Sequence, residues 1–311
     1  MYLAGSCAYL EFESQKYKKL EDFQIISFDE LLCLIFPLIS QIYADNNAYR
    51  SALICVICGT LLLFYRIKKI HLKKNITMKK ISVISGGTSG LGLEIAGLLI
   101  KSGRNILILG RNAERLNEAS SRLKEESESL LTESLICNIG KEEDVKKVGE
   151  YLKANSFSVE YLFNNAGMGL FTKAHTSTSA IIDKVFEANL KGMILLTSEI
   201  LRLTPEEEEL TIVNIMSTSA LVGRAEETIY CAAKWGARGY TEALRTELKG
   251  SKRNIIAVYP GGMKTNFWDI PGQNRDISTF MDPAEVAEKI VNAVIVTDKM
   301  FVTDITINRK K

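Results

Sequence analysis

A tyrosine and a lysine four residues apart form the acid–base pair that the sequence marks most clearly. Tyr230 and Lys234 flank Cys-Ala-Ala, and in a helix this spacing puts both side chains on one face. A positive charge about 4 Å from a phenol oxygen is worth up to roughly 4 kcal/mol at an effective dielectric constant near 20. Lys234 is therefore expected to lower the pKa of Tyr230 toward neutrality. Such a phenol can give a proton to a carbonyl oxygen or remove one from an alcohol.

The spacing alone is a weak signal, because Tyr65 and Lys69 repeat it where we interpret it as structural. Ser217 strengthens the case for Tyr230, since it lies upstream of the tyrosine and directly after a predicted buried strand. The carboxyl ends of parallel strands border the ligand crevice of such folds. A hydroxyl at Ser217 can therefore reach a substrate carbonyl beside Tyr230.

The elements that would position these residues follow a regular pattern from residue 80 onward. Short β-branched runs alternate with longer amphipathic stretches. This alternation predicts an α/β fold, a doubly wound, Rossmann-type parallel sheet of about seven strands with helices on both faces. We predict strands at 81–85, 105–109, 134–137, 159–163, 211–216, 255–258 and 300–303. We predict helices near 90–102, 112–128, 141–154, 179–203, 228–249 and 283–295.

A glycine-rich turn follows the first predicted strand and opens a helix. Glycines let backbone approach a pyrophosphate, and the helix N-terminus supplies free N–H groups and a positive dipole end. The spacing G-x-x-x-G-x-G differs from the G-x-G-x-x-G fingerprint, and a flexible loop at the start of a helix is the alternative. Its position in the first βα turn favours dinucleotide binding. The expected binding residues are Ser85, Gly86, Thr88, Ser89, Gly90, Leu91 and Gly92.

The residue after the second strand bears on the choice of cofactor. An acid there would bind the adenosine ribose 2′-hydroxyl and select NAD, but Gly110-Arg111 stands at this point. Arg111 can pair with a 2′-phosphate instead, so the sequence favours NADP (NADPH) over NAD. The alternative is that Arg111 is a solvent-exposed first residue of the next helix.

Composition excludes several other classes of function. The formal net charge is +2, from 39 basic and 37 acidic residues, which does not favour a nucleic-acid partner. The six cysteines show no repeated spacing, and only two histidines occur, so we expect no metal site. Cys55 and Cys58 form a CxxC pair within an apolar run, which we interpret as two apolar helix positions. The cysteine pattern fits a reducing compartment.

Residues 1–77 differ in character from residues 78–311, which we predict to be a single catalytic domain. The extension holds apolar runs at 31–42 and 51–65, with a basic cluster directly after the second. Fifteen residues fall short of the ~20 that span a bilayer unaided. A membrane anchor at about 51–65, with membrane contact through 31–74 and the domain on the cytoplasmic side, is one interpretation. The other is a functional start at Met78 and a soluble cytoplasmic protein.

The chain resembles the short-chain dehydrogenases/reductases over essentially all of 78–311. The motifs occur in the order of that family. After the glycine-rich turn come Asn164-Asn165-Ala166-Gly167 behind the fourth strand, Asn189 in Asn-Leu-Lys-Gly, Ser217, Tyr230 with Lys234, and Pro260-Gly261 with Thr265.

The resemblance implies roles for these residues. Tyr230 would be the general acid/base, and Ser217 would orient and polarise the carbonyl. Lys234 would bind the nicotinamide ribose, and Asn189 would hold a water in a proton relay. Asn138 stands where an aspartate commonly meets the adenine amine, and its amide oxygen can accept the same bond. The remaining cofactor contacts implied are Asn165, Ala166 and Gly167 near the adenosine ribose, with Pro260, Gly261 and Thr265 at the nicotinamide.

The segment between Gly262 and Asp282 is expected to cover the active site as a lid. Its side chains Phe267, Trp268, Ile270 and Phe280 predict an apolar ketone or aldehyde substrate, with simple packing of the lid as the alternative. Lys264 and Arg275 are the only cations there that could meet a substrate anion. The predicted activity is interconversion of a carbonyl and a secondary alcohol by hydride transfer. A non-catalytic dinucleotide sensor or scaffold is the alternative function.

The C-terminal sequence lacks the glycine-rich tail of many tetrameric members of that family. This departure puts the common tetramer in doubt. We instead predict a homodimer through the long helices near 179–203 and 228–249.

Overall fold

The structure is a computed structural model that describes residues 78–270, 275–295, 300 and 302–310. The predicted membrane segment at about 51–65 lies outside these residues. Among the residues described, no helix combines the length and the apolar character needed to cross a membrane.

Seven strands form one sheet in which every neighbouring pair is parallel. Their spatial order is β3-β2-β1-β4-β5-β6-β7, so the chain reverses direction across the sheet between β1 and β4. Ligand crevices of doubly wound folds open at such a reversal. The predicted Rossmann-type fold is confirmed. The strands are β1 (Lys79–Ser85), β2 (Ile106–Gly110), β3 (Thr132–Ile136), β4 (Phe157–Asn164), β5 (Leu210–Ile215), β6 (Arg253–Pro260) and β7 (Asp304–Ile307).

Each of the predicted helices is present, with ends that differ by a few residues. The predicted helix 179–203 is interrupted by one π-helical turn at Glu187–Lys191, which divides it into two α-helices. The helices are α1 (Gly90–Lys101), α2 (Ala113–Lys124), α3 (Glu142–Ala154), α4 (Ser179–Phe186), α5 (Gly192–Leu203), α6 (Thr228–Glu247) and α7 (Pro283–Val294).

Two hydrophobic cores lie on opposite faces of the sheet. In β2, Ile106 and Ile108 pack into the core that α1, α2 and α7 cover, whereas Leu107 and Leu109 pack into the core beneath α3, α5 and α6. Alternate residues of a strand point to opposite faces. A strand buried on both sides therefore reads as a continuous apolar run.

The seventh strand lies four residues beyond its predicted position. The prediction placed it at 300–303, but β7 pairs with β6 from Asp304 to Ile307. Asp304 carries a charge that argues against a strand, yet its carboxylate accepts a hydrogen bond from the Tyr259 hydroxyl and pairs with Arg245 at 3.4 Å. Alternation in β7 leaves Ile305 and Ile307 packed on the core, as an edge strand with one buried face requires.

Candidate active site

A cleft of about 800 Å³ opens at the carboxyl ends of the central strands. It runs from the loops after β2 and β3, past the β1–α1 turn, to the loops after β5 and β6. Most of the predicted site residues line it together, although they come from distant parts of the chain. Those lining it are Gly86, Thr88, Ser89, Gly90, Leu91, Arg111, Asn138, Asn165, Ala166, Gly167, Ser217, Tyr230, Lys234, Pro260, Gly261 and Thr265.

The glycine-rich turn connects β1 to α1 in a conformation that excludes side chains. Gly86 and Gly90 have φ values of 67° and 52°, in the left-handed region that favours glycine. A Cβ on Gly92 would lie 2.3 Å from the Gly86 carbonyl oxygen, so the helix packs directly on the turn. Thr88, Ser89 and the start of α1 face the cleft. The free backbone N–H groups of a helix N-terminus can bind a pyrophosphate, and adjacent hydroxyl groups can add further donors.

Three predicted residues stand behind the cleft wall and do not line it, namely Ser85, Gly92 and Asn189. The Ser85 hydroxyl donates to the Phe163 carbonyl and accepts from the backbone N–H groups of Asn165 and Ala166 at 3.1 Å. The Asn165 amide in turn donates to the Ser85 and Gly86 carbonyls. These bonds fasten the loop after β4 to the glycine-rich turn. Ser85 therefore fixes the conformation of the glycine-rich turn without lining the cleft.

Two arginines face the cleft after β2. Arg111 follows β2 directly, and Arg115 lies in the first turn of α2. Asn112, between them, caps α2 by accepting a hydrogen bond from the Arg115 backbone N–H. Arg115 was missed in the sequence, although a second cation four residues after Arg111 in a helix start is a readable signal. Asn138 and Cys137, after β3, line the same end of the cleft.

The Ser217 and Tyr230 side chains meet at the other end of the cleft. Ser217 follows β5, and its hydroxyl oxygen accepts a hydrogen bond from the Ser219 backbone N–H at 3.1 Å. Tyr230 lies in the first turn of α6, and its phenol is near enough to the Ser217 hydroxyl for Ser217 to lower its pKa. Lys234, one helical turn further along, places its Nζ 5.7 Å from the centre of the Tyr230 ring and donates to the Ile215 carbonyl. The three predicted groups converge.

Burial governs the protonation of this pair. The pKa of Tyr230 is raised well above its usual range, first by burial and further by the negative charge of Glu227, while the hydrogen bond with Ser217 and the charge of Arg224 act in the opposite direction. Burial lowers the pKa of Lys234 to about 8. The expected net lowering of the Tyr230 pKa by Lys234 is therefore wrong, because desolvation of the phenol outweighs the lowering by Ser217 and Arg224.

Asn189 lies in the π-helical turn, behind the wall formed by Gly167 and Met168. Its amide donates to the carbonyls of Met168 and Val185, and its oxygen accepts from the Met168 N–H at 3.3 Å. A Cβ on Gly167 would lie 2.8 Å from that oxygen and 3.5 Å from the Lys234 ammonium nitrogen. Asn189 and Lys234 thus approach the same point from two helices. π-helical turns of this kind are frequent at functional sites.

Aromatic side chains pack around Tyr230 in the cleft. The rings of Phe171 and Phe267 pack edge-on against Tyr230, with centroids 5.6 and 5.7 Å away. Trp268 packs on both of those rings, and its indole N–H donates to the Met263 carbonyl. We call Phe171, Phe267 and Trp268 the aromatic wall. Phe171 was missed in the sequence because its position in a loop carries no periodicity.

Of the two cations that the sequence offered for a substrate anion, neither is aimed freely into the cleft. Lys264 does not line the cleft, and Arg275 pairs with Glu227 at 3.0 Å. Arg224, which the sequence analysis did not single out, lines the cleft near Tyr230 and donates to the Thr218 hydroxyl. Glu227 was also missed, although an acid three residues before the tyrosine is visible in the sequence.

Comparisons with known proteins agree with this geometry. The family profile described as short chain dehydrogenase matches residues 80–275. A sepiapterin reductase of Chlorobaculum tepidum is 27% identical over 234 residues, covering 73% of this chain and 95% of that protein. A short-chain dehydrogenase/reductase structure from Vibrio parahaemolyticus is 32% identical with a TM-score of 0.66, covering 74% of this chain and all of that one. An actinorhodin polyketide ketoreductase with NADPH is 25% identical with a TM-score of 0.64, covering 74% and 95% of the two chains.

The chain belongs to the short-chain dehydrogenase/reductase family. It is accordingly an oxidoreductase that uses a nicotinamide dinucleotide to interconvert CH–OH and C=O groups.

Proposed function

We propose that this protein is an NADPH-dependent carbonyl reductase with Tyr230 as its general acid. One observation carries the proposal: the Tyr230 phenol lies beside the Ser217 hydroxyl and close to Lys234, at the end of a cleft that begins at a glycine-rich helix start. Such a phenol stays protonated at neutral pH because burial raises its pKa. A protonated acid is what reduction of a carbonyl requires.

The residues act on the carbonyl oxygen and on the proton. Ser217 donates a hydrogen bond to the oxygen, and Tyr230 transfers its phenolic proton to the same atom. NADPH, when bound, supplies the hydride to the carbonyl carbon, so that a carbonyl, NADPH and one proton become an alcohol and NADP⁺. Lys234 and Asn189, which both lie close to Gly167, are placed where a proton can be returned to the phenolate.

The residues of the cleft fit a dinucleotide along its length. Thr88, Ser89 and the α1 N-terminus would hold the pyrophosphate, and Asn138 would meet the adenine. Arg111 and Arg115 would hold a 2′-phosphate, since both face the cleft after β2 and no acid stands at that strand end. Pro260, Gly261 and Thr265 would flank the nicotinamide. The NADPH carried by the actinorhodin ketoreductase is consistent with this preference.

We propose an apolar ketone or aldehyde as the substrate. The aromatic wall encloses Tyr230, and Ile270 packs with it. Arg275, whose guanidinium lies over the Trp268 and Phe171 rings, is neutralised by Glu227. An uncharged substrate body would therefore meet apolar surface beside the acid.

Substitution of the tyrosine tests the function. Tyr230→Phe should bind NADPH normally in a fluorescence titration, yet lose turnover of every accepted carbonyl by about 10²–10⁴-fold. Tyr151→Phe is a matched control, because that hydroxyl binds Glu133 away from the cleft. Parental turnover in Tyr230→Phe would overturn the assignment, and a sensor or scaffold role would take its place.

A homodimer through the long helices near 179–203 and 228–249 is also proposed. Ile182 on α4 and Trp235 on α6 are large apolar side chains exposed on these helices. A second copy of the chain would cover both. Sedimentation of the parent as a dimer and of Trp235→Glu as a monomer would support this assembly, whereas a monomeric parent would contradict it.

The division of the chain into an N-terminal extension, residues 1–77, and a catalytic domain is also a proposal. We propose a catalytic domain over 78–311, and the family match beginning at residue 80 supports that start. Membrane contact through 31–74, with the domain on the cytoplasmic side, is tested by flotation of the full chain with lipid vesicles. Failure to float would favour the alternative of a soluble cytoplasmic protein.

A further inference from the structure

Arg275 links the aromatic wall to the start of α6. Its guanidinium carbon lies 4.8 Å from the centre of the Trp268 ring and 5.4 Å from that of Phe171. Its Nη1 donates to Glu227 Oε1 at 3.0 Å. A planar cation can stack on aromatic rings and bind a carboxylate at the same time, which a lysine ammonium does less well. Arg275 therefore makes two kinds of contact that depend on its shape.

Glu227 links Arg275 to the residues that hold the carbonyl. Glu227 directly precedes α6, and its side chain is 5% exposed. Oε2 accepts a hydrogen bond from the Ser219 hydroxyl at 3.1 Å, and the Ser219 backbone N–H donates to the Ser217 hydroxyl oxygen at 3.1 Å. The contacts thus run without a break from Arg275 through Glu227 and Ser219 to Ser217.

The burial of Glu227 makes its pairing consequential. A buried carboxylate that loses its cation is costly, because desolvation is no longer compensated. The Ser219 hydroxyl alone would then hold the charge, and the Ser217–Ser219 turn would be free to move with it. Loss of Arg275 would also remove the cation between Phe171 and Trp268, two rings that pack around Tyr230.

We propose that Glu227 and Arg275 are a pair of positioning residues that fix the Ser217–Ser219 turn and the aromatic wall around Tyr230. The proposal rests on the proposed function, because it assigns the pair a part in the same reaction. Neither side chain transfers the proton. Both act through Ser217, which contacts the carbonyl, and through the aromatic rings that surround Tyr230.

The charges around Tyr230 give the pair a distinctive signature. Lys234 and Cys231 face the phenol from α6, and Ser217, Arg224 and Glu227 face it from the segment between β5 and α6. The negative charge of Glu227 raises the pKa of Tyr230. Arg275 offsets that charge through its ion pair. Removing the arginine and removing the acid should therefore move the Tyr230 pKa in opposite directions.

The test compares Arg275→Met, which keeps an unbranched apolar side chain, with Glu227→Gln, which keeps the shape of the acid. Arg275→Met should lower kcat/KM for carbonyl reduction by about tenfold or more. Alcohol oxidation needs the phenolate, so the rising limb of its pH profile should move to higher pH in Arg275→Met and to lower pH in Glu227→Gln. Intrinsic fluorescence of Trp268 should change in Arg275→Met. Arg122→Met, which breaks an Arg–Glu pair between α2 and α1, is the matched control.

The outcomes separate this inference from the function on which it rests. The positioning role would be overturned if the pH profiles of alcohol oxidation in Arg275→Met and Glu227→Gln moved in the same direction, or did not move from the parental profile. This holds even if Tyr230→Phe is inactive. Turnover that survives in Tyr230→Phe would overturn the function itself. If Arg275→Met does not fold, Arg275→Lys and Glu227→Gln carry the test. A parental pH profile in Glu227→Gln would then refute the proposal.

Discussion

The Asn189 side chain lies so close to Gly167 that position 167 has no room for a side chain. A Cβ on Gly167 would lie 2.8 Å from Asn189 Oδ1, inside van der Waals contact, and 3.5 Å from Lys234 Nζ. The glycine is thus required by the close approach of the Asn189 side chain, and not by its own backbone angles.

Substitution of this glycine should push the Asn189 side chain away from the loop after β4. Gly167→Ala is expected to destabilise the protein by about 1–3 kcal/mol, because the added methyl overfills a packed site and displaces Asn189 from Met168. Urea unfolding measures this change. Gly239→Ala, where a Cβ would meet nothing within 4 Å, is the matched control on α6. Equal stability of the two variants would contradict the close approach.

The buried, charged Lys234 should lower the free energy of unfolding at pH values below its folded-state pKa, where the side chain is protonated. In the fold its pKa is about 8, against an ordinary value of 10.5, so between these values the unfolded chain binds more protons than the folded one. Parental stability should rise with pH through this window, and below it the cost of the charge, about 3 kcal/mol, is fully present.

Lys234→Met should therefore unfold at higher urea concentration than the parent at pH 7, while losing most activity. Its advantage should shrink between pH 8 and pH 10.5. Denaturant midpoints measured across this range check the sign. A variant less stable than the parent at pH 7 would show that the ammonium is better compensated than its hydrogen bond to Ile215 implies.

The two arginines after β2 should decide cofactor preference. Arg111→Ala and Arg115→Ala are each expected to weaken NADPH by tenfold or more and to leave NADH nearly unchanged, because only NADPH carries the 2′-phosphate. Fluorescence titration of both cofactors measures the ratio. Arg122→Ala, at the far end of α2, is the control. An unaltered ratio in both cleft variants would mean that the phosphate lies elsewhere.

Trp268 should matter more for long substrates than for short ones. Trp268→Ala removes apolar surface from the aromatic wall, so kcat/KM for a long-chain ketone should fall by about tenfold relative to that for a short one. The short ketone is an internal control for damage to Tyr230. A uniform loss on both substrates would indicate that the ring only packs the segment in place.

The sequence predicted those features that depend on local pattern or on fixed order along the chain. The alternation of apolar runs was enough for six strands and all the helices, and Ser217, Tyr230 and Lys234 do converge. β7 was misplaced because Asp304 reads as a strand breaker until Arg245 and Tyr259 are brought to it by folding.

The rest depended on tertiary contacts that have no signal along the chain. Nothing in the sequence joins Arg275 to Glu227, which lies 48 residues away. The direction of the Tyr230 pKa was misjudged for a related reason. Spacing reveals the cation one turn away, but only the packed structure reveals how completely the phenol is removed from water.

The π-helical turn at Glu187–Lys191 has a consequence for the two halves of the helix that contains it. One extra residue rotates everything beyond it by about 100° around the helix axis. Val185, before the turn, packs beside Tyr230, whereas Leu196 and Ile200, after it, pack against the sheet. Deleting a single residue here would restore a regular α-helix, and the side chains of one half would then no longer face the residues they now pack against. The extra residue thus lets one half pack beside Tyr230 and the other half pack against the sheet.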